Sequence, residues 1–272
     1  MAFDPSEANP EKKVLYIFST ALGLSGITEA AHGVFYVTGA NTTASNIEGP
    51  PKKRNSRVAH RFTNSTDNDP IITLIAWPTA PTGFNGMAAF NETILLAAAT
   101  YQDSIFAIDV TTGETWEAIK DDLMTQINGI KVQDGYVYWT AGGDFCRAHL
   151  YSNVATGAGE IIAQGTAFDD FAVAPDGFNN ATDRKYAYAT TPGENSIMQI
   201  RFNKNGGINE TTIIAGSLDS TEIAEPTSCA FGLGEGQPNK LYITTGGGSR
   251  LNVEVDGVET AVGAQLLEIQ LD

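Results

Sequence analysis

Residues 127–139 read INGIKVQDGYVYW, and this stretch decides how the rest of the chain is interpreted. It joins a first apolar run that carries an Asn-Gly pair to a second run of aromatic and β-branched residues, with a turn between them. Such runs bounded by turn residues are typical of short adjacent β-strands. The stretch therefore predicts two neighbouring strands, Ile127–Val132 and Tyr136–Trp139.

The same pattern occurs five times along the chain, and each copy begins with a short run that contains small or polar residues. The five first runs are Leu24–Glu29, Phe84–Ala88, Ile127–Val132, Phe168–Val173 and Pro226–Phe231. Corresponding positions lie 41 to 60 residues apart, and third and fourth strand patterns follow the second run in several copies. Four short strands repeated at this spacing are the signature of β-propeller blades.

We therefore predict an all-β chain with a single β-propeller domain over residues 1–272 and five repeat units. The last unit ends at its third strand, and Lys13–Phe18 is the segment expected to supply the missing outer strand. A β-sandwich is the competing fold, but it would not produce five repeats in register.

Composition limits the partners that the chain can have. The 272 residues contain 16 Lys and Arg against 32 Asp and Glu, which gives a net charge of −16 and a sequence pI near 4.5. Phosphate backbones repel such a chain, so a nucleic-acid partner is excluded, and anionic membrane surfaces are disfavoured. No apolar run approaches the roughly 20 residues that a membrane helix needs. We expect a small-molecule partner and no membrane insertion.

The location of the protein stays open. No signal peptide is visible at the start of the sequence, yet the chain contains five glycosylation sequons, at Asn41, Asn64, Asn91, Asn180 and Asn209. Because of these sequons, a glycoprotein that is secreted or resides in the secretory pathway stays one of the possible interpretations. Two cysteines do not make a disulfide framework, and Cys146 and Cys229 are predicted to be buried thiols in strands.

Alignment of the five first strands exposes one polar column. It consists of Ser25, Asn85, Asn128, Asp169 and Thr227. The first strand of each propeller blade is the innermost, so these side chains are expected to converge at one mouth of the central channel. Their oxygens suit a ligand or a hard cation. The alternative is that they bond to local backbone in turns.

Three motifs carry a resemblance to a known family: Phe84–Gly86, Ile127–Gly129 and Asp169–Gly177. They resemble the senescence marker protein/gluconolactonase-like β-propellers, which are six-bladed, calcium- or zinc-dependent lactonases. The resemblance implies metal binding by Asn128 and Asp169 and substrate contact by Asn85. The metal-binding Glu of that family has no counterpart here, because the first strand of blade one is absent. Two arrangements stay open: the ring closes with five blades, or part of blade one is lacking. Glu29, from a different blade, is the only inner-strand carboxylate that could substitute.

The sequences of four repeats resemble those of a fungal branch of this superfamily. That branch includes hetero-Diels–Alderases of tropolone–sesquiterpenoid biosynthesis. These repeats are Gly26–Glu29, Asn128–Val132, Asp169–Ala172 and Pro226–Gly232. Members of that branch are similar in lacking the full lactonase metal set. The resemblance implies an enzyme of secondary metabolism that needs no cofactor.

Three functions follow from the residues and the resemblance. In the first, the channel is a cyclase site in which Asp169 and Glu29 are the catalytic acid/base groups. Substrate would be bound by Asn85, Asn128, Ser25 and Thr227. Apolar neighbours such as Phe168 and Phe171 are expected to raise the pKa of Asp169.

In the second function, a lactone hydrolase holds Ca²⁺ or Zn²⁺ on Asn128 and Asp169, and the metal activates a bound water. In the third, the propeller is a non-catalytic interaction scaffold. A Ser-His-Asp hydrolase has little support, because none of the three histidines falls in the polar column.

Overall fold

The computed structural model describes most of the chain and divides it into two compact units. The described residues are 11, 13–18, 21, 23–40, 56–63, 71–76, 78, 83–181, 183–206, 210–233, 237, 239–247 and 253–271, with only the backbone described for 56–63 and for 180. Unit 1 comprises Met1–Ala97 and Ala107–Trp116, and unit 2 comprises Ala98–Phe106 and Glu117–Asp272. Each unit is described by itself.

Five sheets of successive strands account for most of the described residues. Sheet 1 contains β1 (Gly23–Ala31), β2 (Val34–Ala40), β3 (Ser56–Thr63) and β4 (Ile71–Ala76). Sheet 2 contains β5 (Phe84–Ala89), β6 (Ile94–Ala99), β7 (Ser104–Asp109) and β8 (Thr115–Lys120). Sheet 3 contains β9 (Ile127–Gln133), β10 (Tyr136–Ala141), β11 (Asp144–His149) and β12 (Glu160–Gln164).

Sheet 4 contains β13 (Phe171–Val173), β14 (Arg184–Thr191), β15 (Ser196–Asn203) and β16 (Glu210–Gly216). Sheet 5 contains β17 (Pro226–Phe231), β18 (Lys240–Thr245) and β21 (Leu266–Gln270), and the hairpin β19 (Val253–Val255) and β20 (Val258–Thr260) precedes β21. The described residues include 3₁₀ turns at Asp122–Met124, Phe178–Asn180 and Pro192–Glu194.

Two apolar layers of unit 2 lie one on each face of sheet 4. Side chains on a strand alternate between its faces, so a sheet buried on both sides needs apolar residues at every position. In β13, Phe171 and Val173 pack against sheet 3, whereas Ala172 packs with residues of sheet 5. Ala187 and Tyr188 of β14 divide in the same way. This two-sided burial explains why these strands read as continuous apolar runs.

In unit 1, β1 packs against β5. The Ser25 hydroxyl donates a hydrogen bond to the carbonyl of Phe84 at 2.8 Å, and the Ala89 amide donates to the Thr28 hydroxyl at 3.2 Å. Two side chains of β1 therefore fix the position of the neighbouring first strand. Tyr36 and Thr38 of β2 are buried behind them.

The structure confirms an all-β chain with five repeated sheets, and both cysteines are buried free thiols as predicted. The predicted outer strand is wrong, because residues 14–18 form no strand and sheet 5 has three strands. Val14 and the adjacent Tyr16 and Ile17 are exposed, since this run lacks the period-two alternation that gives a strand one apolar face.

Several sequence predictions concern residues or properties that the structure does not describe. Asn41, Asn64 and Asn209 lie outside the described residues, as does the side chain of Asn180. The single domain over residues 1–272 stays a prediction. No helix in the described part of the chain has the length and apolar character to span a membrane.

Candidate functional site

The polar column coincides with β-bulges in the first strands. In sheet 1, Leu24 pairs with Gly39 and Ile27 with Val37, so Ser25 and Gly26 together face one residue of β2. In sheet 3, Asn128 and Gly129 face one residue of β10 in the same way. A bulge disrupts strand pairing locally and re-aims side chains, and bulges are frequent beside active sites.

Sheets 4 and 5 carry the same irregularity. The Asp169 amide donates to the carbonyl of Thr190 at 3.0 Å, and the Thr190 amide donates to the carbonyl of Asp170 at 3.0 Å. Two aspartates therefore face one threonine. In β17, Thr227 is the extra residue between two paired neighbours. Four of the five column residues thus lie at bulges.

Buried threonine hydroxyls on the second strands satisfy the backbone at these bulges. In sheet 1, the Gly26 amide donates to Thr38 Oγ1 at 2.8 Å. In sheet 3, the Gly129 amide donates to Thr140 Oγ1 at 2.9 Å, and that hydroxyl donates to the carbonyl of Asp169 at 2.5 Å. Thr140 therefore links the first strand of sheet 3 to that of sheet 4.

Glycine at the bulges permits the close approach of the next first strand. A Cβ on Gly26 would lie 2.3 Å from the carbonyl oxygen of Asn85, and a Cβ on Gly129 would lie 2.6 Å from Asp170 Oδ1. Both separations are far below ordinary van der Waals contact. The Asn-Gly and Ser-Gly pairs of the repeat are thus a requirement of first-strand packing.

In unit 1, the predicted site residues divide between the two ends of β1. Ser25 lies at the bulge, where its hydroxyl contacts Thr38 Oγ1 at 2.8 Å. Glu29 Oε1 instead accepts a hydrogen bond from the Gly33 amide at 2.7 Å in the β1–β2 turn. Four residues of strand separate the two, roughly 13 Å. The structure therefore does not bring Glu29 to Ser25, while Asn85 lies half-buried in β5 beside Gly26.

In unit 2, the structure brings together the three bulges of sheets 3, 4 and 5. Thr140 joins the first two bulges, and the Asp170 amide donates to the carbonyl of Thr227 at 3.3 Å. Asn128, Asp169 and Thr227 are half-buried at these positions. Phe168 and Phe171, expected beside Asp169, belong to the apolar cluster between sheets 3 and 4. The convergence of all five column residues at one channel mouth stays a prediction.

Asn128 carries the clearest chemical signal in unit 2. Its Oδ1 atom is buried and has no hydrogen-bond partner among the described residues. A buried acceptor without a partner costs about 1–3 kcal/mol, so each such atom in a native structure requires an explanation. A ligand that donates a hydrogen bond to this amide oxygen would supply the missing partner.

Sequence reasoning missed a set of polar contacts beside Gly129, which follows Asn128 in β9. Lys131 Nζ donates to Asp170 Oδ1 at 2.7 Å, and the Ser228 hydroxyl donates to Asp170 Oδ2 at 2.8 Å. Their signal was present in the repeat, because Asp170 and Ser228 occupy the position that is glycine in the first three units. Lys131 lies in β9, Asp170 immediately precedes β13 and Ser228 lies in β17; we call these three residues the Lys131–Asp170–Ser228 network.

The neighbouring thiol is unsuited to nucleophilic chemistry. Burial, followed by the negative charge of Asp170, raises the pKa of Cys229. Its Sγ donates to the carbonyl of Tyr188 at 3.1 Å. The protonated thiol is a poor nucleophile, because the thiolate is the reactive form. Cys229 is therefore a packing residue.

The donor set for a metal is small. In the part of the chain that the structure describes, no three His, Cys, Asp or Glu side chains lie close enough together to hold a metal ion. Asn128 and Asp169 provide two oxygen donors, whereas Ca²⁺ takes six to eight oxygens and catalytic Zn²⁺ takes three protein ligands. These residues by themselves do not fit either ion.

No protein-family model matches this chain, and no curated protein matches it in sequence. Its fold is similar to that of several solved structures. A luciferin-regenerating enzyme has a TM-score of 0.55 at 12% identity, with 90% of this chain and 91% of that chain covered. The PQQ-bound aldose sugar dehydrogenase of Streptomyces coelicolor has a TM-score of 0.57 at 14% identity, with 91% and 79% covered.

The virginiamycin B lyase of Staphylococcus aureus has a TM-score of 0.52 at 16% identity, with 81% of this chain covered. This chain spans 62% of that lyase, less than two thirds of its length. At such identities the likeness shows the fold alone. These neighbours are β-propellers, so the predicted β-propeller class is confirmed.

Proposed function

We propose that this chain is a biosynthetic enzyme that promotes a hetero-Diels–Alder-like cyclisation of a tropolone- or terpenoid-type intermediate. The observation that carries the proposal is the buried Oδ1 of Asn128 at the bulges of unit 2, which has no hydrogen-bond partner in the part of the chain that the structure describes. A substrate hydroxyl would donate to this oxygen. The fold is compatible with such a role, because propellers of similar fold include enzymes named for small-molecule substrates.

The reaction class fits a site with few reactive groups. A cycloaddition mainly requires that two reactive parts be held close and aligned, and such positioning supplies roughly 7–11 kcal/mol of barrier reduction. Asn128 is proposed to orient a substrate oxygen in unit 2, with Thr227 as a further polar contact. In unit 1, Asn85 and Ser25 are the residues proposed to bind substrate. Asp169 is proposed to transfer the proton that assists loss of water from a precursor.

Of the two proposed acid/base groups, Asp169 is the stronger candidate. Glu29 already accepts the Gly33 amide in a turn, and a carboxylate that caps a turn has a structural role without any substrate. Asp169 belongs to a bulge beside those of Asn128 and Thr227. The proposal therefore assigns the main proton transfer to Asp169 and keeps Glu29 as the second candidate.

The test uses the purified chain with a hydroxymethyl-tropolone precursor and a polyene sesquiterpene. Cycloadduct formation and its enantiomeric excess are followed by chiral chromatography with mass detection. Asp169→Asn is expected to reduce turnover at least tenfold, whereas Asn128→Ala is expected mainly to raise KM. The matched control is Asn153→Ala, because that asparagine lies in an exposed loop of unit 2.

Parallel arms separate the alternatives. Lactone cleavage that chelator abolishes and Ca²⁺ or Zn²⁺ restores would replace the cyclase with the metal-dependent lactone hydrolase. Two results together would favour the non-catalytic scaffold: racemic product formed at the uncatalysed rate, and no lactone cleavage. Full activity in a variant that lacks both Asp169 and Glu29 carboxylates would refute the acid/base role and leave positioning alone.

A further inference from the structure

The five first strands carry a single cationic side chain. Lys131 in β9 is the only Lys or Arg within β1, β5, β9, β13 and β17. The chain as a whole carries a net charge of −16, so a lone cation beside the bulges is unusual for this protein. Its side chain is 29% exposed, which leaves it within reach of a ligand.

The Lys131–Asp170–Ser228 network fixes the position of this cation. Asp170 accepts from Lys131 on one carboxylate oxygen and from Ser228 on the other, and its carboxylate is only 19% exposed. The ammonium also lies 5.4 Å from the centre of the Phe171 ring, a favourable cation–π separation. Because both carboxylate oxygens of Asp170 are hydrogen-bonded, the carboxylate has a fixed position, and so does the Lys131 ammonium bound to it.

Lys131 retains hydrogen-bonding capacity after these contacts. An ammonium group has three N–H donors, and Asp170 is its only hydrogen-bond partner among the described residues. The remaining donors are suited to an oxygen that carries negative charge, because a hydrogen bond between charged groups is about twice as strong as a neutral one. Asn128, three residues earlier in β9, provides on the same strand an acceptor that has no partner among the residues placed by the structure.

We propose that Lys131 binds an enolate or phenolate oxygen of the substrate, with Asp170 and Ser228 as its positioning residues. This inference rests on the proposed function and narrows the substrate class. The substrate is then a largely apolar molecule with one acidic hydroxyl beside a carbonyl or ring. In a heterodiene, a hydrogen bond from the ammonium to this oxygen also stabilises the negative charge that develops during the cycloaddition.

The experiment compares two probes of nearly equal shape. Tropolone presents an ionisable hydroxyl, whereas its methyl ether, 2-methoxytropone, cannot form the anion. Dissociation constants are measured by calorimetry at a pH where tropolone is ionised. We expect the wild-type chain to prefer tropolonate by about tenfold or more, and Lys131→Met to lose this preference. Asp170→Asn is expected to reduce it, because the ammonium loses its fixed position.

Lys240→Met is the matched control. Lys240 is also a partly buried lysine paired with a carboxylate, Glu268, at 2.9 Å, but it lies at the opposite end of sheet 5 from Ser228. Its removal changes the net charge equally and should leave the tropolonate preference unchanged. An equal loss of preference in both variants would show a general charge effect and overturn the proposal.

If the Lys131→Met variant fails to fold, a second measurement tests the proposal on the wild-type chain. Labelling lysine with ¹³C and ¹⁵N keeps all three N–H donors, and the Lys131 Nζ resonance is assigned by its absence in Lys131→Arg. Tropolone should shift this resonance more than 2-methoxytropone does, and no difference would overturn the proposal. Lys131-dependent binding without cyclisation would refute only the proposed function, whereas cyclisation that Lys131→Met leaves intact would refute only this inference.

Discussion

Replacement of Gly129 by alanine is the sharpest test of first-strand packing. The added Cβ would lie 2.6 Å from Asp170 Oδ1, 3.0 Å from Asp170 Cα and 3.1 Å from a ring carbon of Phe171. The Asp170 side chain could rotate away only by breaking its bond to Lys131, and the contact with its Cα cannot be relieved by rotation. The first strands of sheets 3 and 4 must therefore separate by several tenths of an ångström.

The expected magnitude follows from two opposing effects. Overpacking of this kind destabilises by about 1–3 kcal/mol, and the reduced freedom of the unfolded chain returns about 0.4–1 kcal/mol. At the midpoints of these ranges the net loss is about 1.3 kcal/mol. For a chain of this size, such a loss lowers Tm by roughly 2–6 °C.

Gly193→Ala is the matched control for this substitution. Gly193 also lies in unit 2, has no atom within 4 Å of an added Cβ and does not adopt a left-handed backbone conformation. The control experiences the same change in the unfolded chain without the clash, so its Tm should stay equal or rise slightly. Thermal unfolding followed by circular dichroism gives both values. A Gly129→Ala variant as stable as Gly193→Ala would refute the close-packing argument.

Three further predictions concern buried groups. Thr140→Val should lower the free energy of unfolding by about 1–3 kcal/mol in urea titrations, because two backbone groups lose their hydroxyl partner. Burial raises the pKa values of Tyr138 and Tyr188 to about 12, so their contribution to stability is complete below pH 10 and is lost as pH rises from 10 to 12. Tyrosinate absorbance that reports both groups titrating near 10 in a folded chain would contradict this. Burial raises the pKa of Cys146 to about 12 and also raises that of Cys229. A thiol reagent should therefore label neither cysteine until the chain unfolds. Rapid labelling of the native chain would show that the two thiols are not buried.

The repeat predicted the sheets well, because strand alternation and spacing are local properties of the sequence. The first runs of all five copies contain or adjoin a first strand, and their second runs correspond to β2, β6, β10, β14 and β18. The Lys13–Phe18 prediction failed for a related reason. An apolar run shows that a segment could be a strand, but pairing also needs a partner edge and a defined face.

Side-chain contacts between sheets were beyond the reach of the repeat. Lys131 and Asp170 are 39 residues apart, and Asp170 and Ser228 are 58 apart, so only the stacking of sheets brings them together. Glu29 shows the opposite limit. Its place in the first strand was predicted correctly, but the pattern could not tell the bulge end of β1 from its turn end.

The long sequence separation of the first-strand contacts has a kinetic consequence. In sheets 3 and 4 each strand pairs with its neighbours in the chain, so these hairpins require only short loops to close. Contacts such as Lys131 with Asp170 require whole sheets to be in place and are expected to form late. Interactions that form after the transition state slow unfolding and leave the folding rate nearly unchanged. The lifetime of the folded inner strands, rather than the speed at which the sheets form, is then the quantity that the bulge contacts control.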